Sequence, residues 1–138
     1  MEDAIQHSAK RILVATTDPD MQKALKMQLR GRHFDSFFVS KGIDAVLTIL
    51  EKEWDLLILE LDMSGFVGVD LLPVVRKLRP RLPIILITED FTSQIRKVAA
   101  EQGMTFQTFK PKNYSETQAI IKATEKIIEK RELIKANL

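Results

Sequence analysis

Glu60 and Asp62 stand at the end of the stretch Asp55-Leu-Leu-Ile-Leu-Glu-Leu-Asp-Met-Ser-Gly65. Two carboxylates this close together form a candidate acid pair. The four apolar residues before them, Leu56 to Leu59, have the pattern of a strand covered on both faces. In an open parallel sheet, chemistry gathers where the central strands end. Glu60 and Asp62 are therefore placed at the mouth of a buried strand.

The rest of the chain supplies the elements that position them. Arg11 to Ala15 predicts a first strand, and Thr16-Thr17-Asp18-Pro19 a strand-to-helix turn. Asp18 suits an N-cap and Pro19 the first helical position. Met21, Leu25, Met27 and Leu29 recur at helical spacing, with Gly31 as the stop. Phe34 to Val39 reads as a second strand. Ser40 is expected to cap a second helix whose apolar face is Ile43, Val46, Leu47 and Leu50. The third strand spans Asp55 to Leu61, and a loop follows from Met63 to Gly68. A third helix runs from about Val69 to Leu78, with Pro73 disturbing its first turn. Ile84 to Ile87 is a fourth buried strand, and Thr88 to Phe91 a loop. Ile95, Val98 and Ala99 mark a fourth helix ending near Gly103. Met104 to Phe109 is a more polar fifth strand, expected near the sheet edge. A last helix starts near Ser115, where Ser115-Glu-Thr-Gln118 resembles a capping box. Alternating strands and helices imply one doubly wound α/β domain over residues 11–138, after a leader over 1–10.

Composition excludes several functions. There is no cysteine, so disulfides, thiolate metal sites and a Cys nucleophile are ruled out. His7 and His33 are isolated from each other. The net charge of +2 is far short of a dedicated nucleic-acid binder, and a single Trp54 and a single Tyr114 offer no stacking platform. No apolar run approaches the roughly 18 residues of a membrane span, and the N-terminus has no signal-peptide pattern. A cytoplasmic location is expected, with neither membrane nor nucleic acid as partner.

With these elements placed, the chain resembles a response-regulator receiver domain, the CheY-like, flavodoxin-like module of two-component signalling. The resemblance covers roughly residues 11 to 128. Ile12-Leu-Val14 matches the first strand, and Asp55-Leu-Leu-Ile-Leu-Glu60 the strand that ends in the phosphoacceptor. Met63-Ser-Gly65 resembles the Met-Pro-Gly that follows it. Ile84 to Thr88, Gly103 and Lys110-Pro111 match the fourth strand with its terminal hydroxyl, the Gly before the fifth strand, and the Lys-Pro pair, whose peptide is typically cis. The resemblance implies a five-stranded parallel sheet wound with five helices. It also implies a pocket of Thr16, Thr17, Asp18, Asp62, Thr88 and Lys110.

The departures bear on function. Where the family carries two acidic Mg²⁺ ligands, this chain has Thr16 and Thr17. The phosphoacceptor position holds Glu60, and the aromatic switch position holds Gln107. Mg²⁺ favours charged oxygen ligands at short, fixed distances, and neutral hydroxyls bind it weakly. Glu60 is one methylene longer than aspartate, a displacement of about 1 Å that such sites tolerate poorly. A pseudo-receiver is therefore expected, with no catalytic residues, no cofactor, and Mg²⁺ binding weak or absent. Glu60 is expected to pair with Lys110 as a fixed anion that partly imitates phosphorylation. Its partner would be another protein, docking on the face of the fourth helix, fifth strand and last helix. Two other readings stay open: a receiver still phosphorylated at Glu60 or Asp62, and a flavodoxin-like domain binding a small ligand.

The last helix is longer than a receiver needs. Ile120, Thr124, Ile127, Arg131, Ile134 and Leu138 form a heptad-like stripe that could serve a homodimer. Lys122, Lys126, Lys130, Arg131 and Lys135 alternate with Glu125, Glu129 and Glu132 as a solvated face. Arg76, Lys77, Arg79 and Arg81 read as surface.

Overall fold

The computed structural model describes residues 9–61 and 68–137. Asp62, the Met63-Ser64-Gly65 landmark, most of the leader and Leu138 lie outside the described residues. Five parallel strands form one sheet: β1 (Arg11–Ala15), β2 (Asp35–Val39), β3 (Leu56–Glu60), β4 (Ile84–Thr88) and β5 (Phe106–Phe109). Their order is β2-β1-β3-β4-β5. β5 occupies an edge, as its polar sequence implies, and β3 lies at the centre. Five helices connect and cover the strands: α1 (Pro19–Gly31), α2 (Gly42–Glu51), α3 (Gly68–Leu78), α4 (Ser93–Gln102) and α5 (Tyr114–Ala136).

Alternation along each strand divides the core in two. Leu13, Leu57, Leu59 and Leu86 point to one face, under α2, α3 and α4. Ile12, Val14, Ile58 and Ile85 point to the other, under α1 and α5. All five residues of β3 and all five of β4 are buried, which is why these strands are continuous apolar runs. Parallel register sets Val14 beside Ile58 and Ile58 beside Ile85. The strand ends are thereby aligned, and Glu60 lies level with Ile87.

Local signals are partly confirmed. Asp18 caps α1, accepting from the N–H groups of Asp20 and Met21, with Pro19 at the first position. Gly103, at φ 72°, closes α4 in the left-handed conformation. α1 ends at Gly31, but the left-handed residue beyond it is His33. Met27 points outward.

Several expectations are corrected. The N-cap of α2 is Lys41, not Ser40, and no side chain caps it. Its inward face is Gly42, Ala45 and Ile49, with Val46 partly buried. Ile43, Leu47 and Leu50 are instead 48%, 50% and 50% exposed. This short helix is apolar on two sides, so periodicity alone could not choose between them. Pro73 sits inside an unbroken α3. The Lys110-Pro111 peptide is trans. α5 starts at Tyr114, and its capping box lies two residues earlier than Ser115. The Asn113 side chain accepts from Glu116 N–H, and the Glu116 carboxylate accepts from Lys112 N–H. The inward face of α5 is Thr117, Ile120, Ile121, Thr124 and Ile128. Thr124, a member of the heptad-like stripe, is a core residue whose hydroxyl donates to the Ile120 carbonyl.

The two sides of α2 should respond differently to truncation. Ile49→Ala is expected to cost about 2–5 kcal/mol in urea unfolding. Leu47→Ala, half in water already, should cost less than about 1 kcal/mol. Equal losses would contradict the corrected face.

Candidate functional site

The carboxyl ends of four strands converge on one polar group. Thr16 follows β1, Glu60 ends β3, Thr88 ends β4, and Lys110 follows β5. Backbone bonds hold these ends in place: Thr16 N–H donates to Val39 O at 3.0 Å, and Lys110 N–H to Thr88 O at 2.9 Å. Asp18 enters from the N-terminus of α1.

Glu60 is the pivot, with only 1% of its surface exposed. Its Oε2 lies 3.0 Å from Lys110 Nζ. Its Oε1 accepts a hydrogen bond from the Thr16 hydroxyl. Lys110 Nζ also lies 3.1 Å from Asp18 Oδ2 and 3.8 Å from Glu89 Oε1. The expected Glu60–Lys110 contact is therefore present, and the ammonium is shared among three carboxylates.

Asp18 divides its two oxygens between two tasks. Oδ1 caps α1 through Asp20 N–H at 2.9 Å and Met21 N–H at 3.3 Å. Oδ2 holds Lys110. Thr16 Oγ1 also accepts from Asp18 N–H at 3.1 Å, and Gln22 Nε2 donates to Thr16 O at 3.0 Å. The Thr16 hydroxyl thus ties the turn after β1 to the end of β3.

The charges shift accordingly. Asp18 is held below the usual 3.8, chiefly by its hydrogen bond to Lys110, with the helix N–H groups helping and burial opposing. Burial pulls Lys110 downward, but hydrogen bonds and attraction from Glu60 and Asp18 outweigh it. The ammonium is held above its ordinary 10.5.

The side chains of the remaining expected residues among those described make no hydrogen bond to Glu60 or Lys110. The Thr88 hydroxyl donates to Asp90 O at 3.1 Å and accepts from Asp90 N–H at 3.3 Å, so it is used within its own turn. Thr17 and Gln107 are exposed. Glu89 and Gln22 were missed from the sequence. Glu89 directly follows Thr88 and could have been found from that adjacency; nothing in the local pattern marks Gln22. A cavity of about 530 Å³ adjoins the site, lined by Asp18, Glu89, Phe109, Lys110, Pro111 and Lys112.

Among the described residues, the two inner carboxylates already face an ammonium at hydrogen-bond distance, and Thr16 supplies only a neutral hydroxyl. Among those same residues, no group of three or more His, Cys, Asp or Glu side chains is arranged to hold a metal ion.

Comparison with known proteins gives the relationship. The family model for the response regulator receiver domain matches residues 12–131. The DNA-binding response regulator MtrA of Mycolicibacterium smegmatis is 30% identical over 114 residues, 83% of this chain and 50% of MtrA. The transcriptional regulatory protein GlrR of Escherichia coli is 23% identical over 107 residues, 78% of this chain and 24% of GlrR. The chain thus spans half or less of the length of these relatives. A two-component response regulator from Clostridium difficile superposes with a TM-score of 0.75 at 26% identity, covering 89% of this chain and 98% of that one. A CheY-like receiver domain from Methanospirillum hungatei superposes with a TM-score of 0.79 at 22% identity, covering 91% and 98%. That second likeness speaks for the fold alone. No helix among the described residues is long and apolar enough to cross a membrane.

Two outcomes follow from the geometry. Lys110→Met strands a buried carboxylate and should cost about 3–5 kcal/mol, whereas Glu60→Gln should cost about 1–3 kcal/mol. In the double variant the losses should fall short of additivity by about 0.5–3 kcal/mol, read by urea unfolding; additive losses would mean the pair is not coupled. The second outcome concerns pH. Because the folded-state value of Asp18 is depressed, its contribution is present above 3.8 and fades as pH falls through the lower folded value. The stability difference between wild type and Asp18→Asn should therefore hold steady near neutrality and shrink only in acid. Lys110, raised when folded, contributes fully below 10.5 and loses that contribution only as pH rises beyond it.

Proposed function

The chain belongs to the response regulator receiver domain family of two-component signalling, and from that premise we propose that it signals through protein contacts without being phosphorylated. One observation carries the reading: both oxygens of Glu60 are engaged, one by Lys110 and one by Thr16. Phosphoryl transfer to a carboxylate needs a free oxygen in line with the donor and strong charge stabilisation around the transferring group. Here the side chain is buried, one methylene longer than aspartate, and bonded at both ends. Thr16 and Thr17 add no charge to help.

The Glu60–Lys110 bond also supplies what phosphorylation would supply, a fixed negative charge holding the Lys110 loop against the end of β3. The pseudo-receiver is accordingly set in one state. Its output surface is the face of α4, β5 and α5. Phe109 is 59% exposed there and packs edge-on against Phe91, with ring centroids 5.0 Å apart. Gln107, polar and exposed, lacks the ring whose burial would report a switch. An aromatic pair held at the surface suits a protein partner. The adjoining cavity is lined by two carboxylates, Asp18 and Glu89, and two ammonium groups, Lys110 and Lys112, so its wall offers no excess of positive charge to a phosphate-bearing ligand.

Intact-mass measurement after incubation with acetyl phosphate and Mg²⁺ tests this reading. Wild type should gain no phosphoryl group. The variant combining Thr16→Asp, Thr17→Asp and Glu60→Asp should gain one under the same conditions. A phosphorylated wild-type chain would overturn the proposal.

A further inference from the structure

At the opposite end of the sheet from Glu60, segment 79–83 leads into β4 and faces the C-terminal half of α5. Two adjoining cavities of about 310 and 510 Å³ open there, sharing Pro80, Arg81, Leu82 and Arg131 as lining. The helix contributes Ile127, Lys130, Arg131 and Ile134, spaced by three and four and so on one face. The extra length of α5 is therefore one wall of this cleft. The basic run Arg76 to Arg81 is the other.

The cleft is lined by more cations than carboxylates. The Arg76 guanidinium donates to the carbonyls of Gln102, Arg79, Pro80, Leu82 and Gly103. Arg79 donates to those of Leu78 and Ile49. Carbonyl oxygens satisfy these donors but leave the charge in place. Of the two lining carboxylates, Glu53 and Asp55, Asp55 is already engaged by Arg131 and by Arg11 N–H. Among the described residues, Arg81 and Lys130 line the cleft without a salt-bridge partner, whereas Arg131 pairs with Asp55 and Lys135 is drawn to Glu132. In a chain whose net charge is only +2, this is a marked local concentration. Between the cations lie apolar patches from Leu82, Ile127 and Ile134.

Concavity, an apolar wall and an excess of cations together describe a small-ligand site rather than a flat docking surface. Guanidinium groups pair with phosphate oxygens in a two-pronged manner, and lysines add point charges. We propose that the cleft binds a small organic phosphate of the nucleoside diphosphate kind. Its phosphates would lie on Arg81 and Lys130, and its body against Leu82 and Ile134. The inference does not depend on whether Glu60 is phosphorylated.

The test is an amide-shift titration of the full chain at low salt with ADP, with pyrophosphate and with oligo-glutamate. ADP should give saturable shifts over residues 79–83 and 127–135 and none at Asp18 or Lys110. It should bind more tightly than pyrophosphate, because only ADP uses the apolar wall. The double variant Arg81→Ala, Lys130→Ala should weaken ADP by about tenfold or more while its thermal midpoint stays at the wild-type value. Any of four results would overturn the proposal: no saturable shift, shifts centred on Lys110, undiminished binding by the variant, or oligo-glutamate binding as tightly as ADP. The last would reassign the cleft to an acidic protein segment.

Discussion

A carboxylate buried at the end of the central strand has to be neutralised where it stands. Removing such a charge from water costs several kcal/mol even after the protein relaxes, and only close partners offset it. Glu60 meets this demand with Lys110 on one oxygen and Thr16 on the other. Lys110 draws in Asp18, which fixes the start of α1 with its second oxygen. Through these few bonds the turn after β1, the end of β3 and the segment after β5 become one unit. An aspartate at residue 60 would be about 1 Å shorter and would leave the ammonium further from a partner.

The sheet makes this convergence possible. Strand order β2-β1-β3-β4-β5 puts β3 between β1 and β4, so the three ends that carry Thr16, Glu60 and Thr88 are neighbours. The register is secured by near-complete burial on both faces, since a slip by one residue would exchange the two halves of the core. Lys110 is carried in by the edge strand β5, whose backbone bonds to the end of β4. The two ends of the sheet therefore differ in character. One is closed by an internal ion cluster; the other is open, basic and walled by the extended α5.

Much of this was legible in the sequence because long apolar runs and turn residues have few alternatives. The strands β3 and β4, the Asp18-Pro19 start of α1 and the Gly103 stop each follow from one local cause. The Glu60–Lys110 contact followed from a resemblance that placed both residues at adjacent strand ends. What escaped was whatever depends on choosing between similar local options. α2 has apolar residues on two sides, and only the neighbouring layer decides that Ile49 goes inward and Leu47 outward. The capping box at α5 could be built on Ser115 or on Asn113, both good cap residues. Gln22 joins the site through a contact to the Thr16 carbonyl that no spacing rule anticipates. The stripe through Thr124 and Arg131 resembles a coiled-coil seam, yet Thr124 is core and Arg131 bonds to Asp55.

The central claim is that the Glu60 carboxylate is occupied from within and unavailable for phosphoryl chemistry. A crystal structure grown with Mg²⁺ and beryllofluoride, which mimics a phosphoryl group on a carboxylate, tests it most directly. The result expected is a Glu60 carboxylate still at hydrogen-bond distance from Lys110, with no beryllofluoride attached. Beryllofluoride on Glu60, or a carboxylate turned beyond about 4 Å from the Lys110 ammonium, would contradict the account.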